Sequence, residues 1–137
     1  MNEKQSVTLQ RDLPHPPDKV WRALTQSELM GDWLMESDFR PEVGHLFTFR
    51  ADWGEVQGEV LEVEPQRRLS YTWHAFALKS VVTFTLTAID GGTRLEMMQT
   101  GFRTDQEQEL GGAKAGWAHF LDALAGCLDA RASEEGS

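Results

Sequence analysis

Apolar and polar residues alternate along four stretches in the middle of the chain. Each stretch would place its apolar residues on one face of a β-strand and its polar residues on the other. Turn signals separate the stretches, and Asp90-Gly91-Gly92 is the strongest of them. The pattern predicts an antiparallel run of about six strands with one face toward a core. The inward positions are Phe47, Phe49 and Ala51; Leu69, Tyr71, Trp73 and Ala75; Val82, Phe84, Leu86 and Ala88; and Leu95, Met97 and Gln99.

Helical spacing occurs on both sides of this β-rich region. A first strand over residues 6–13 precedes a helix over residues 17–25, which Pro17 can open because its fixed φ suits the first helical position. Ser27 is a candidate N-cap for a second short helix over residues 27–35. A later apolar stripe predicts one long C-terminal helix. Its members are Leu110, Ala113, Trp117, Phe120, Leu121, Leu124 and Leu128.

The start of the long helix is the least regular part of this pattern. Gly111, Gly112 and Gly116 lie inside it, and each glycine in a helix costs about 1 kcal/mol relative to alanine. The glycines predict a helix that begins near Gly112, whereas Thr104 and Glu107 have the spacing of an earlier capping box. Residues 133–137 have nothing to pack against, so we expect a disordered tail there.

The order of elements predicts an α+β fold. It consists of a strand, two short helices, about six or seven antiparallel strands in all, and a long helix across the sheet. Length and composition agree with one domain, which we place at residues 1–132. If the curved sheet wraps the helix without closing on it, a cavity remains between them.

An ordered set of segments, spread over nearly the whole chain, resembles a known family. The segments are residues 11–33 (RDLPHPPDKVWRALTQSELMGDW), 58–73 (GEVLEVEPQRRLSYTW), 80–86 (SVVTFTL), 92–95 (GTRL), Gly101-Phe102 and Gly116-Trp117. They look like the START-like (SRPBCC) superfamily and, within it, the branch of activator of heat-shock protein 90 ATPase homologue-like proteins. The chain departs from it at Gly44-His45, where members often carry two glycines.

The resemblance implies a helix-grip fold, in which a curved antiparallel sheet wraps a C-terminal helix around a deep hydrophobic cavity. Members of the superfamily bind lipids, polyketides or other apolar small molecules. Some are cyclases, and others are co-chaperone domains. The resemblance therefore defines the expected fold more closely than the function.

Charge and cysteine content narrow the choice of partner and compartment. The formal net charge is −9, and no basic face is evident, so binding to nucleic acid or to an anionic membrane is disfavoured. The single cysteine, Cys127, excludes an intrachain disulfide and a zinc site built on several thiolates. We see no secretion signal and no bilayer-spanning apolar run, so we expect a cytoplasmic protein without membrane insertion. A homodimer stays open.

The inward aromatic residues define the predicted ligand-binding site. A cavity lined by rings would favour flat or fused-ring apolar ligands, but the same rings could fill the space themselves. For Trp73 and Trp117 both readings stay open, whereas we expect Trp21 to be plain core packing. The predicted ligand-binding residues are Trp33, Phe47, Phe49, Tyr71, Trp73, Phe84, Met97, Gln99, Trp117, Phe120, Leu121 and Leu124.

Gln99 is the polar residue of greatest interest in this set. It shares its face with Leu95 and Met97, so regular pairing would aim its amide into the cavity. An unmatched buried amide costs about 1–3 kcal/mol, so it needs a partner. A ligand or a water could supply one, and so could a neighbouring strand or side chain.

No histidine has a clear position for acid–base catalysis. His15 lies between prolines, and His45 follows a turn glycine. His74 would point away from the face of Trp73 unless a bulge turns it inward, and His119 falls on the solvent side of the long helix. We predict no catalytic residue, although an enzyme is not excluded.

Metal and cofactor sites are also not predicted. No histidine pair has ligand spacing on a helix, and carboxylates such as Glu36 and Asp38 lack partners at such spacing. No glycine-rich phosphate loop follows a strand. Cys127 has no histidine next to it in sequence, so it is interpreted as a lone, partly buried thiol.

Three functions follow as hypotheses. The first is a binding or carrier protein for an apolar, aromatic or lipid-like small molecule held between sheet and helix. The second is a cyclase or dehydratase that uses the same cavity, with Gln99 and His74 as its polar groups. The third is an interaction domain that regulates a chaperone, which requires an exposed apolar patch of several hundred Å². We also expect residues 104–116 to open more readily than the strands and to gate the cavity.

Overall fold

The structure is a computed structural model that describes residues 5–75, 78–103 and 105–135, with side chains to residue 132. Its elements occur in the predicted order, with one additional short strand. The strands are β1 (Gln5–Leu13), β2 (Glu36–Ser37), β3 (Leu46–Ala51), β4 (Gly54–Glu64), β5 (Arg68–Ala75), β6 (Leu78–Ile89) and β7 (Gly92–Phe102). The helices are α1 (Pro17–Thr25), α2 (Ser27–Trp33) and α3 (Glu107–Glu135).

The strands form a seven-stranded antiparallel sheet in the order β1-β7-β6-β5-β4-β3-β2. The curved sheet packs against the long α3, which confirms the predicted α+β helix-grip fold. The hairpin predicted at Asp90-Gly91-Gly92 joins β6 to β7, where Ile89 pairs with Gly92. Gly91 has a φ of +79°, a left-handed conformation that glycine adopts without strain. The sequence did not predict β2, because this strand has only two residues and no alternating pattern.

The two short helices pack an apolar stripe against the core. Pro17 opens α1 as predicted, and the helix buries Val20 and Leu24. Helix α2 ends at Trp33, two residues before the predicted end, and the Trp33 indole N–H donates to the carbonyl of Ala23 at 2.8 Å. Trp21 is partly buried and packs against the core, as expected.

Helix α3 begins at Glu107, so the prediction of a start near Gly112 is wrong. The backbone N–H of Leu110 donates to the carbonyl of Gln106 at 3.0 Å, and the buried Gln106 side chain accepts the N–H of Arg103 at 2.9 Å. Tertiary packing of the stripe outweighs the weak helix propensity of the glycines. Thr104 lies outside the described residues, so its capping role stays a prediction.

Helix α3 extends into the segment that we expected to be a disordered tail. The helix continues to Glu135, so the described part of residues 133–137 is helical in its backbone. The last two residues lie outside the described part of the chain. The domain boundary at residue 132 stays a prediction.

Candidate binding pocket

A pocket of about 610 Å³ opens between the first half of α3 and the sheet. We call it the open end of the grip. Its sheet side consists of Trp73 and Ala75 of β5, Leu78 of β6 and Gln99 of β7, with Trp53 from the β3–β4 turn at the mouth. Its helix side consists of Glu109, Gly112, Ala113, Gly116, Trp117 and Phe120.

The helix side is one stripe of α3 whose middle has almost no side chains. Steps of three and four residues connect Glu109 to Phe120 along the same face. A Cβ atom added at Gly112 or at Gly116 would have nothing within 4 Å. The space between α3 and the sheet is therefore empty, because each glycine has only a hydrogen atom where other residues have a side chain.

A chain of buried hydrogen bonds fixes the inner wall of the pocket. The Trp117 indole N–H donates to Gln99 Oε1 at 2.8 Å, and Gln99 Nε2 donates to Ser80 Oγ at 2.9 Å. The Ser80 hydroxyl in turn donates to the carbonyl oxygen of Trp73 at 2.8 Å. An indole N–H can only donate, which orients the amide with its oxygen toward Trp117. Gln99 is thus satisfied by neighbouring protein groups, one of the two readings left open by the sequence.

The other end of the grip is filled. Phe39 and Phe47 contact each other with ring centroids 5.0 Å apart, and Tyr71 lies 5.2 Å from Phe47 and 5.9 Å from Phe49. Phe84 completes this group, which we call the closed end. All five rings are buried, and most contacts are edge to face, as aromatic rings prefer.

One polar atom interrupts the closed end. Tyr71 is fully buried, and among the described residues no group makes a hydrogen bond with its hydroxyl. Burial raises the pKa of Tyr71 above its usual value, so the phenol stays protonated.

Four of the predicted ligand-binding residues line the pocket: Trp73, Gln99, Trp117 and Phe120. The other eight do not line it, and they lie in the hydrophobic core. These eight are Trp33, Phe47, Phe49, Tyr71, Phe84, Met97, Leu121 and Leu124. All eight are buried, as their inward positions predict, but neither strand alternation nor helix periodicity reveals which inward residues are covered from the other side.

Several lining residues were not predicted. Ala75, Leu78 and Ala113 are small or ordinary apolar residues, and Trp53 lies in a turn outside the alternating pattern. The glycines at 112 and 116 carried the most useful signal, since they fall on the inward stripe of a helix. The sequence pattern alone indicates a weak start of α3 and a gate there, but it does not indicate a pocket wall.

The histidines lie outside the pocket. His74 and His119 are exposed, in line with the predicted orientations. His45 contacts the carbonyl of Asp38 through Nε2 at 2.9 Å. His15 is buried in its loop, and its Nε2 lies 2.7 Å from a carboxylate oxygen of Asp129 on α3.

Metal-ligating and thiol groups do not form a second functional site in the described ranges. There, no group of three or more His, Cys, Asp or Glu side chains is placed to hold a metal ion. Cys127 is partly buried, with Sγ 3.6 Å from the carbonyl of Asp32. Burial raises the pKa of this thiol, and the charge of Asp32 adds to the effect. Within the described residues, no helix is long and apolar enough to cross a bilayer.

These features define a START-like helix-grip protein with a partly open interior. The chain belongs to the family described as activator of Hsp90 ATPase homolog 1-like protein, whose model matches residues 14–129. None of the curated proteins compared with the chain matches it.

Solved structures share this fold. Protein MLL2253 from Mesorhizobium loti is 52% identical, with a TM-score of 0.88 over 91% of this chain and 97% of that one. CalU16 from Micromonospora echinospora is 25% identical, with a TM-score of 0.80 over 98% of this chain and 91% of that one. DynU16, a putative protein in the dynemicin biosynthetic locus, is 27% identical, with a TM-score of 0.81 over 96% of this chain and 48% of that one.

Proposed function

We propose that this protein binds an apolar, ring-containing small molecule at the open end of the grip. The observation that carries the proposal is an open pocket of about 610 Å³ walled by aromatic rings and left empty by glycines. Pockets of this size, mostly apolar with a few placed polar groups, are typical of small-molecule sites. Family membership supports a ligand-binding domain in general terms.

The lining indicates the chemistry of the ligand. Trp73, Trp117 and Phe120 offer faces and edges on which a flat ring system can stack. Gln99 and Trp117 are hydrogen-bonded to each other, so this wall of the pocket needs no polar group from a ligand. Glu109 is exposed at the helix side of the mouth and would repel an anion. These features favour a neutral ligand.

The enzyme hypothesis gains no support from the polar groups that were its candidates. His74 lies on the outer face, where it borders a shallow depression with Lys79 and Thr100. Both ends of the Gln99 amide are engaged by protein groups. Binding therefore explains the geometry with fewer assumptions than cyclisation or dehydration, which stays an untested alternative.

The chaperone-regulating hypothesis requires an exposed apolar patch. Val43, Leu46 and Leu61 are exposed around the start of β3. Nothing in the described part of the chain indicates what would cover them, so we make no proposal for this surface.

A fluorescence titration with N-phenyl-1-naphthylamine, a neutral ring-containing probe, tests the binding proposal. We expect the wild type to bind the probe and the double variant Gly112→Leu/Gly116→Leu to bind it at least about tenfold more weakly, because two leucines would occupy the pocket. The matched control is Gly111→Leu/Gly126→Leu, which adds two leucines to α3 outside the pocket.

The control separates loss of the pocket from a general effect on the helix. Both double variants replace helical glycines whose Cβ position is open, so neither should lower the unfolding midpoint. Equal probe affinity in the two double variants would contradict the proposal. So would a wild type that does not bind the probe at all.

A further inference from the structure

The unpartnered hydroxyl of Tyr71 is the one buried polar side-chain atom in the described residues that lacks a hydrogen bond. Its neighbours at ring-contact distance are Phe39, Phe47, Phe49 and Phe84. Phenylalanine would fill the same space without a polar atom to bury. A buried hydroxyl without a partner lowers stability, so its presence indicates a role that phenylalanine could not perform.

A buried water is a poor explanation for this hydroxyl. An internal water usually makes two to four hydrogen bonds to otherwise unsatisfied groups. The rings around Tyr71 offer none, and no second unsatisfied side-chain atom lies among the described residues. Among side-chain groups left without a partner, a water at this position would find only the Tyr71 hydroxyl.

Tyr71 lies next to the open end. It is the inward residue that precedes Trp73 on β5, and successive residues on one face of a strand are about 7 Å apart. Trp73 lines the pocket and contacts Phe49, which contacts Tyr71. Two rings in contact, those of Trp73 and Phe49, therefore lead from the pocket to the ring that carries the hydroxyl.

Trp73 is the wall residue that adjoins Tyr71 on the inward face of β5. Its indole makes ring contacts with Phe49 and Trp117, but it forms no side-chain hydrogen bond with any described residue. Trp117, in contrast, is held by its bond to Gln99. A ligand ring that replaces the Trp73 ring in these contacts would break no protein hydrogen bond.

We propose that a ligand enters past Trp73 and that the Tyr71 hydroxyl donates a hydrogen bond to a carbonyl oxygen at its buried end. This inference rests on the proposed function and specifies its ligand as a flat aromatic ketone. The protonated state of the buried phenol supports its role as a donor. The apolar surroundings exclude an anionic group at this end of the ligand.

A matched pair of compounds and one isosteric variant test the assignment. The compounds are 2-acetylnaphthalene and 2-ethylnaphthalene, which differ in a carbonyl oxygen, and the variant is Tyr71→Phe. Dissociation constants come from displacement of N-phenyl-1-naphthylamine. We expect Tyr71→Phe to weaken binding of the acetyl compound by about tenfold and to change binding of the ethyl compound by less than about twofold.

The unfolding midpoint of the ligand-free variant gives a second readout. We expect Tyr71→Phe to unfold at a higher temperature than the wild type, because the orphaned hydroxyl is removed. A lower midpoint would mean that the hydroxyl has a partner in the free protein, and it would overturn the inference.

The binding results distinguish this inference from the proposed function. If both compounds bind and Tyr71→Phe weakens both equally or neither, the inference fails while the binding function stands. If the wild type binds neither compound nor the probe, the proposed function fails and the inference fails with it.

Discussion

The closed end and the open end of the grip use the same kind of residue to opposite effect. At the closed end, Phe47 and Phe49 of β3 pack against each other and against Tyr71 with ring centroids 5.0 to 5.9 Å apart. At the open end, Trp73 and Trp117 contact each other at 5.2 Å and still border a pocket of about 610 Å³. Aromatic residues on an inward face therefore do not determine whether a cavity is filled.

The two halves of α3 also differ in the side chains that they present to the interior. The second half of the α3 stripe presents Leu121, Leu124 and Leu128, all of which are buried. The first half of the same stripe presents Gly112 and Gly116. One continuous helix thus supplies side chains to the core at one end and withholds them at the other.

Glycine has two roles in this comparison. A Cβ atom added at Gly58 on β4 would collide with the ring of Phe47 and with the carbonyl of Thr72. That glycine admits a neighbouring ring at the closed end. A Cβ added at Gly112 or Gly116 meets nothing, so these two glycines leave space that no protein atom uses.

Truncation of one aromatic residue at each end should give the largest contrast. Phe49→Ala removes a fully buried ring, and we expect it to lower the free energy of unfolding by about 3–5 kcal/mol. Trp53→Ala removes a ring that is 54% exposed at the mouth of the pocket, and we expect a loss of about 1 kcal/mol or less. Urea denaturation measures both values. Similar losses at the two ends would contradict the distinction between them.

Hydrogen exchange should separate the helix at the open end from the central sheet. Few side chains anchor the start of α3, so we expect amides of residues 107–116 to exchange on the order of a hundredfold faster than those of residues 82–88 in β6. The first half of α3 would then gate the pocket, as the sequence suggested for residues 104–116. Equal protection in the two segments would exclude such a gate.

Most of the fold could be predicted from the sequence because its signals are local. Alternation revealed β3, β5, β6 and β7, and Pro17 marked the start of α1. Strand β2 escaped because it is a two-residue pairing of Glu36 and Ser37 with β3, which depends on tertiary contacts. The start of α3 was misplaced because local helix propensity lost to packing of the stripe.

The pocket was predicted only in part, for a different physical reason. The inward orientation of Trp73, Gln99, Trp117 and Phe120 follows from periodicity. Whether an inward residue is covered depends on the register between α3 and the sheet, which no local pattern contains. Tyr71 illustrates the limit, since its position on β5 was predicted but its unpartnered hydroxyl was not.

The smallest expected effect concerns Asp38, which holds the segment that carries Phe39 onto the closed end. Asp38 Oδ1 accepts the backbone N–H of Thr48 at 2.8 Å, and this bond is the largest cause that holds the pKa of Asp38 below its ordinary value of 3.8. A carboxyl whose pKa is lower in the folded state stabilises the fold above its unfolded pKa. That contribution is lost as the pH falls through the folded pKa.

The variant Asp38→Ala should therefore unfold at a lower urea concentration than the wild type at pH 7, and the gap should narrow as the pH falls below 3.8. The effect should be well below that of Phe49→Ala, because Asp38 is exposed and solvent screens its charge. Urea midpoints of the two proteins from pH 7 to pH 3 test this. A gap that stays constant with pH would mean that the Asp38 carboxylate charge does not stabilise the closed end, which would then depend on packing of its rings alone.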